Sequence, residues 1–474
     1  MSFCSQNFLV FLGVVLAAYW SIASTRIRTI LLVAASFWFY ASWNPRLAAI
    51  VFGWSTLDYA LGIMLEAIPR RRAKQGVLIG GIALNLGLLT YFKYTGFLID
   101  SIARGLAAIG VERSFASASV IAPIGISFFT FEAINYLVDI HRGKIRAERN
   151  IFSFLLFISF FPHLIAGPIV RAGDFLPQIG RDKRRDWSRI RLGCEIFLIG
   201  LFKKLAIADR MAMFADPAFA DPDRYRSHAL WIAAIAYAVQ IYCDFSGYTD
   251  MAIGCAHLFG FKLRPNFNAP YASLSIAEFW RRWHVSLSTW LRDYLFIPLG
   301  GSRVSSIITA RNLIVTMTLG GLWHGANWTF VAWGVVHGLL LVAHRCFRAL
   351  RSNVAALDRN LKSIPGIVTC WFLTILTITL TWIPFRAASF STAIAFLRGL
   401  FVPHSGLDAP LPIDRFALLL AFVLIEHSLR VWKPRRAIVD RLPAPAIGFG
   451  YAALVSIALL LAPSETKAFI YFQF

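Results

Sequence analysis

Apolar residues run through this chain in long, nearly unbroken stretches rather than in the alternation of a half-buried strand. The stretches lie at roughly 7–23, 29–43, 47–67, 77–92, 119–139, 192–208, 229–246, 313–344, 364–385, 413–431 and 445–462. Most approach the ~20 residues that a helix needs to cross a ~30 Å hydrocarbon core. The stretch 313–344 is long enough for a helical hairpin. Continuous runs argue against a transmembrane β-barrel, whose strands alternate apolar and polar residues. The pattern predicts an all-α, polytopic membrane protein of roughly 9–12 membrane helices, plus re-entrant or interfacial helices. It reads as a single membrane-embedded domain over 1–474.

Two segments break the pattern. Residues 151–170 carry FFPHLIAGPIV, with prolines at 162 and 168, and lie between two basic loops. One full crossing would conflict with those loops, so the segment reads as a broken or re-entrant element, tolerated where protein or a cavity surrounds it. Residues 261–303 are too polar to cross lipid, yet dense in aromatics: Trp280, Trp283, Trp290, Tyr294 and Phe296 alternate with Arg281, Arg282, Arg292 and Arg303. Such a composition suits an interfacial or re-entrant segment on the cytoplasmic side; an amphipathic surface helix is the plainer alternative.

Charge then orients the chain. The formal net charge is +22, which by itself would allow nucleic-acid binding. The basic residues, however, cluster between spans: PRRRAK (69–74), HRGKIRAER (141–149), RDKRRDWSRIR (181–191) and KPRRAIVDR (433–441), with Arg345, Arg348 and Arg351 after the hairpin. This is the positive-inside distribution, which places those loops in the cytoplasm and removes the need for a nucleic-acid partner. Counting spans puts the N-terminus, 97–118, the acidic stretch 214–225 and the tail FIYFQF outside. Cys4, Cys194, Cys243, Cys255, Cys346 and Cys370 show no C-x-x-C pair and no zinc-type spacing. The first 20 residues lack a basic leader region and read as a retained span.

Candidate chemistry sits in GLWHGANW (321–328). His324 lies about 11 residues past Leu313, roughly 16 Å into the hydrocarbon core at 1.5 Å per residue. A polar residue at that depth faces protein or a water-filled cavity. Gly321/Gly325 and Gly334/Gly338 are spaced for close helix approach, and Gly325-Ala326-Asn327 is a candidate helix break beside the imidazole. His284, in the aromatic segment, is a second histidine able to converge on the first. His337, His344, His427 and His163 raise the same question with weaker support. Asp244 and Asp250 bracket a span end, where pairing with a buried arginine is the default reading.

The string WRRWHVSLSTWLRDYLFIPLGGSR (280–303) followed by GLWHGANW resembles the signature of the membrane-bound O-acyltransferase superfamily. The resemblance is to its bacterial branch of envelope-polymer acyltransferases, and most of all to its alginate-acetylating members. It extends through APIGISFFTFEAINYLVD (122–139), FFPHLIAGPIVR (160–171), QIYCDFSGYTDMAIG (240–254) and FIYFQF (469–474). It implies helices around a central tunnel, with His324 as the catalytic residue and His284 at the second, more polar position. No bound cofactor is implied; acetyl-CoA is the expected donor, with an acylated carrier protein as the other option. The expected partner is a periplasmic, SGNH-type transferase, and the expected location is the bacterial inner membrane. Trp323, Asn327, Trp283, Arg281, Arg282, Arg292 and Asp244 are the candidates for holding the donor.

The residues fit this chemistry. Moving an acyl group from a thioester to a hydroxyl requires a base, and histidine titrates near neutrality. General-base and transiently acylated histidine both stay open. GFGYAA (448–453) fits a dinucleotide pattern but lies in an apolar run with no strand before it, and no G-x-S-x-G elbow occurs. Rival readings are D-alanyl transfer to teichoic acid, peptidoglycan O-acetylation, a transporter built on intramembrane histidines, and an assembly scaffold.

Overall fold

The computed structural model describes residues 1–111, 121–165, 167–410, 412–432, 442–462 and 469–470. Among them there is no β-strand, only an isolated bridge between Tyr225 and Leu407. Five helices are long and apolar enough to cross a membrane: Pro45–Ala67, Arg71–Ala108, Ser227–Leu258, Trp328–Asn353 and Ile364–Arg386. Shorter apolar helices accompany them, Gln6–Ser21, Ile151–Leu164, Phe390–Phe401 and Pro445–Leu461 among others. The chain divides into two compact units, Met1–Phe197 with Met251–Arg264, and Leu198–Asp250 with Pro265–Phe474.

The first unit opens with α1 (Gln6–Ser21), α2 (Thr25–Ala41), α3 (Pro45–Ala67), α4 (Arg71–Leu89) and α5 (Thr95–Ala108). Serines and asparagine start the first three: Ser5, Ser24 and Asn44 accept the free N–H groups of their first turns. A wide π turn at Thr90–Tyr94 joins α4 to α5 without ending the helix, so residues up to 108, read from sequence as an outer loop, are helical. Residues 112–120 of that loop lie outside the described part. Next come α6 (Ile126–His141), α7 (Ile151–Ser159), α8 (Phe161–Leu164), α9 (Ala172–Ile179) and α10 (Trp187–Phe202), the last continuing into the second unit.

The segment 151–170 is broken, as its prolines suggest, and its loose backbone groups are taken up by protein. Phe161 N donates to Ser36 Oγ at 3.0 Å, Val170 N to Glu132 Oε1 at 2.9 Å, and Asn135 Nδ2 to Val170 O at 3.0 Å. His163 lies 3.4 Å from Glu132, both buried. Arg28, read from sequence as a topology marker, also holds structure: its guanidinium donates to Ile22 O and Lys183 O and lies over the Tyr19 ring.

The second unit contains α11 (Asp209–Ala220), most of α12 (Ser227–Leu258), α13 (Ile276–Arg282), α14 (Val285–Leu291), α15 (Ser306–His324), α16 (Trp328–Asn353), α17 (Ala355–Lys362), α18 (Ile364–Arg386), α19 (Phe390–Phe401), α20 (Ile413–Trp432) and α21 (Ala444–Leu461). The hairpin expected over 313–344 is α15 and α16, broken at Gly325–Asn327. Its arms touch through glycine: a Cβ on Gly321 would overlap Phe330 O, and one on Gly334 would overlap Met317 O. Bulk at either position would force the arms apart, which fits the role of small residues between membrane helices.

Helix α12 runs twelve residues beyond the stretch read as a span, carrying Asp244 near the end of that stretch and Asp250 past it. Lysines supply the reason. Lys203 and Lys204 begin a π turn after α10. Lys204 Nζ lies 2.8 Å from Asp209 and 2.6 Å from Asp244; Lys203 Nζ lies 2.9 Å from Asp250 and 3.2 Å from Glu426. Neutralised in this way, the carboxylates need not end the helix. The partner of Asp244 is thus a lysine rather than the arginine expected.

Candidate active site

The aromatic segment 261–303 is neither a single helix nor a surface one. Ser275 and Glu278 start α13: Ser275 Oγ accepts from Glu278 N, and Glu278 Oε2 accepts from Leu274 N, a variant of the capping box. The helix stops after Arg282, and His284 adopts a left-handed conformation, φ +42° and ψ +54°. For a residue with a Cβ this costs about 1–2 kcal/mol. Asn266 compensates. Its main-chain O accepts from Val285 N at 2.9 Å, and its Oδ1 accepts from Ser286 N at 3.1 Å and Ser286 Oγ at 2.9 Å. These are the donors that α14, lacking a capping side chain of its own, would leave unmade. The same Oδ1 stands 3.2 Å from His284 Nδ1. Strain held by a specific grip often marks a functional position.

The other histidine comes from the hairpin. Asn312 in α15 donates to Leu299 O and Gly301 O, tying the helix to the Gly300-Gly301 turn of the signature string, where both glycines have positive φ. Helix α15 then ends on His324 itself. Asn327 caps α16 by accepting from Thr329 N and donates to Ala388 O.

His284 and His324 meet with ring centroids 6.3 Å apart, 0% and 3% exposed. Trp323 touches both, at 5.9 and 5.1 Å. Phe245 closes on His284 at 4.7 Å; Trp333 and Phe385 close on His324 at 5.4 and 5.3 Å. His284 lies outside the long apolar helices, and burial pushes its imidazole down to about 3, so it is neutral at physiological pH. A neutral imidazole keeps one ring nitrogen as a hydrogen-bond acceptor, so His284 can orient a group beside His324 without carrying charge.

The remaining candidates divide. Trp283 is buried in the adjoining wall, 5.0 Å from Trp382 and from Phe267. Arg281 is exposed. Arg282 pairs with Glu278 at 2.8 Å and Arg292 with Asp293 at 2.7 Å. Asn327 serves as a helix cap, and Asp244 belongs to the Lys204 network. Sequence reasoning missed Asn266, Trp333 and Phe385. It also gave His337 too little weight, although Gly334 and Gly338 bracket that residue at close-packing spacing. His337 is buried 4.6 Å from Trp333 and accepts from Trp280 Nε1 at 3.2 Å. Among the described residues no group of three or more His, Cys, Asp or Glu is placed to hold a metal ion.

Of the tail FIYFQF, the described residues Phe469 and Ile470 are buried in the second unit. Ile470 N donates to Asp244 Oδ2 at 2.7 Å, and Phe469 lies 4.3 Å from Tyr248 and 5.9 Å from Phe245. Residues 471–474 and the basic loop 433–441 lie outside the described part.

Comparison with known proteins bears on this geometry. The model of the membrane-bound O-acyltransferase family matches residues 142–401, which include both histidines. The chain is 42% identical over 403 residues to the probable alginate O-acetylase of Pseudomonas aeruginosa, covering 85% of this chain and 75% of that protein. It is 37% identical over 396 residues to the peptidoglycan O-acetyltransferase of Helicobacter pylori, covering 78% and 73%. It is 27% identical over 258 residues to the teichoic acid D-alanyltransferase of Bacillus subtilis, covering 51% and 64%.

Proposed function

The chain belongs to the membrane-bound O-acyltransferase family and is a multi-pass O-acyltransferase; on that premise we propose that it relays acetyl groups from cytoplasmic acetyl-CoA toward an exported polysaccharide such as alginate. The family and its acyl-transferring relatives set aside the transporter and scaffold readings. The observation that carries the proposal is the buried pair His284 and His324 in an aromatic surround, joined to identity with alginate O-acetylases over most of the chain. The reading places the protein in the bacterial inner membrane, with an SGNH-type periplasmic partner completing the transfer to polymer.

In the proposed step His324 takes the proton from the accepting hydroxyl as its oxygen attacks the thioester carbonyl carbon. The C–O bond forms, the carbonyl electron pair moves onto oxygen, and collapse breaks the C–S bond. The thiolate leaves with the proton that the imidazole held, as free CoA. General-base help of this kind contributes roughly 10²–10⁴-fold. His284 offers the buried, unpartnered lone pair of Nε2 as a hydrogen-bond acceptor beside His324. Arg281, Arg282 and Arg292 are the candidates in the signature string for CoA phosphates; Arg282 and Arg292 are already ion-paired, which leaves the exposed Arg281 best placed to make a new contact.

The test is to incubate the purified full chain with acetyl-CoA labelled in the acetyl group, alongside a D-alanyl carrier thioester, and to follow release of the thiol. Consumption of acetyl-CoA supports the reading. Consumption of the D-alanyl thioester alone replaces it with D-alanyl transfer.

A further inference from the structure

The two other histidines of the ring cluster are fixed in opposite tautomers. At His284, Nδ1 faces Asn266 Oδ1. That atom also accepts from Ser286 N, which identifies it as the carbonyl end of the amide. Nδ1 of His284 therefore carries the hydrogen and Nε2 the lone pair. At His337 the polarity reverses. Trp280 Nε1 donates to His337 Nδ1, and an indole can only donate. Nδ1 of His337 therefore holds the lone pair and Nε2 the hydrogen.

Neither Nε2 has a hydrogen-bond partner among the described residues, and both rings are buried. Trp333 Nε1–H is in the same condition. Trp333 touches His324 at 5.4 Å and His337 at 4.6 Å, and the two donors stand on successive turns of α16. Buried donors without acceptors are rare, and each asks for an explanation. Two of them side by side on α16, one against His324, with a bare lone pair on His284, make a site short of an acceptor and a proton.

We propose that His337 Nε2–H and Trp333 Nε1–H donate to the carbonyl oxygen of the acyl thioester and hold the oxyanion that forms on it. The proposal deepens the acyl-transfer reading and rests on it. As the hydroxyl oxygen adds to carbon, the carbonyl pair moves onto oxygen between these donors. As the C–S bond breaks, the pair returns and the donors relax. Fixed donors in a dry site need no reorganisation when charge develops, which is what makes such groups effective. Trp280 is a positioning residue: by occupying Nδ1 it keeps the hydrogen on Nε2.

The test measures kcat and KM for acetyl-CoA consumption by the full chain as wild type, His337→Phe, His337→Gln, Trp333→Phe and Trp280→Phe. His337→Phe keeps a ring and loses the donor; kcat should fall about 10²–10³-fold with little change in KM. His337→Gln retains an N–H and should recover at least about ten-fold of that loss. Trp333→Phe should lower kcat about ten-fold. Trp280→Phe should lower kcat several-fold with little change in KM, because the hydrogen of His337 is then free to move from Nε2 to Nδ1. Equal losses in the Phe and Gln variants, or a change confined to KM, would overturn the proposal.

A second readout covers variants that fold poorly. The carbonyl stretch of carbon-13 acetyl-CoA bound to His324→Ala protein should lie below its value in solution. Trp333→Phe in that background should move it back; an unmoved frequency overturns the proposal. Wild type that consumes another acyl thioester instead defeats the acetyl reading, while the Phe-to-Gln ratio on that thioester still decides the donor role. Wild type that consumes no thioester defeats both.

Discussion

Two buried polar regions of the second unit invite comparison. Around Lys203 and Lys204 every charge meets its opposite: two lysines, Asp209, Asp244, Asp250 and Glu426 form ion pairs of 2.6–3.2 Å. Tyr242 OH donates to Glu426, and Ile470 N to the second oxygen of Asp244. Around His324 the polar atoms are individually neutral, walled by aromatic rings, and several lack partners: Nε2 of His284, Nε2 of His337 and Nε1 of Trp333. A network whose charges are all paired holds its own members and has little left to offer a ligand. An uncompleted one carries an unmet desolvation penalty of about 1–3 kcal/mol per group, which a substrate can relieve. The difference separates what holds the unit together from what acts on a substrate.

The sharpest way to break that comparison is His324→Ala. It should cut acetyl transfer by more than about 10³-fold, since base and proton carrier go together, while folded yield by size exclusion stays near wild type. Normal polymer acetylation in cells carrying only this variant would remove His324 from the chemistry. The network should answer in the opposite sense. Lys204→Met strands two buried carboxylates and should destabilise by about 3–5 kcal/mol, visible as lost folded protein and a lower Tm. If Asp244→Asn is added, part of that loss should return. Unchanged Tm in Lys204→Met would mean the ion pairs are not structural.

Asn266→Ala lies between the extremes, because Asn266 both caps α14 and fixes the His284 tautomer. It should cost about 1 kcal/mol as a lost cap and lower kcat by about ten-fold, the low end for a proton-transfer group put out of register. Asn266→Asp keeps an acceptor for both Ser286 N and His284 Nδ1 and should recover both stability and activity; a Tm loss with full kcat in Asn266→Ala would leave only the cap. The smallest expected effect is in pH. Native His284 stays neutral down to about 3, whereas a histidine in the unfolded chain protonates near 6.5. Between those values the unfolded state binds more protons, so stability is complete above about pH 6.5 and declines as pH falls toward 3. Tm measured in detergent should drop between pH 7 and pH 5, and His284→Gln should flatten part of that slope; an identical slope in the variant would contradict it.

Much of this was legible in the sequence because it is local. The break beside His324 follows from Gly325-Ala326-Asn327, the broken element from Pro162 and Pro168, and the pairing of His284 with His324 from the signature string. What was hidden is set by tertiary contact. Nothing in the run RPNFNAP announces that Asn266 will reach His284, 18 residues away. Composition marked the aromatic segment as interfacial or re-entrant, but not that its Trp280, Trp283 and Trp290 are buried while Arg281 and Arg292 are exposed. Asp244 and Asp250 looked like a span end because their neutralising lysines lie 40 or more residues upstream. The KK pair inside an apolar stretch was the available signal for that network.

The central claim is that His324 performs acyl transfer within a folded site. Release of free CoA from acetyl-CoA by purified wild type and His324→Ala, matched for Tm and monodispersity, tests it most directly. The account expects release by wild type and loss of more than about 10³-fold in the variant at equal Tm. Equal release by the two proteins would contradict it.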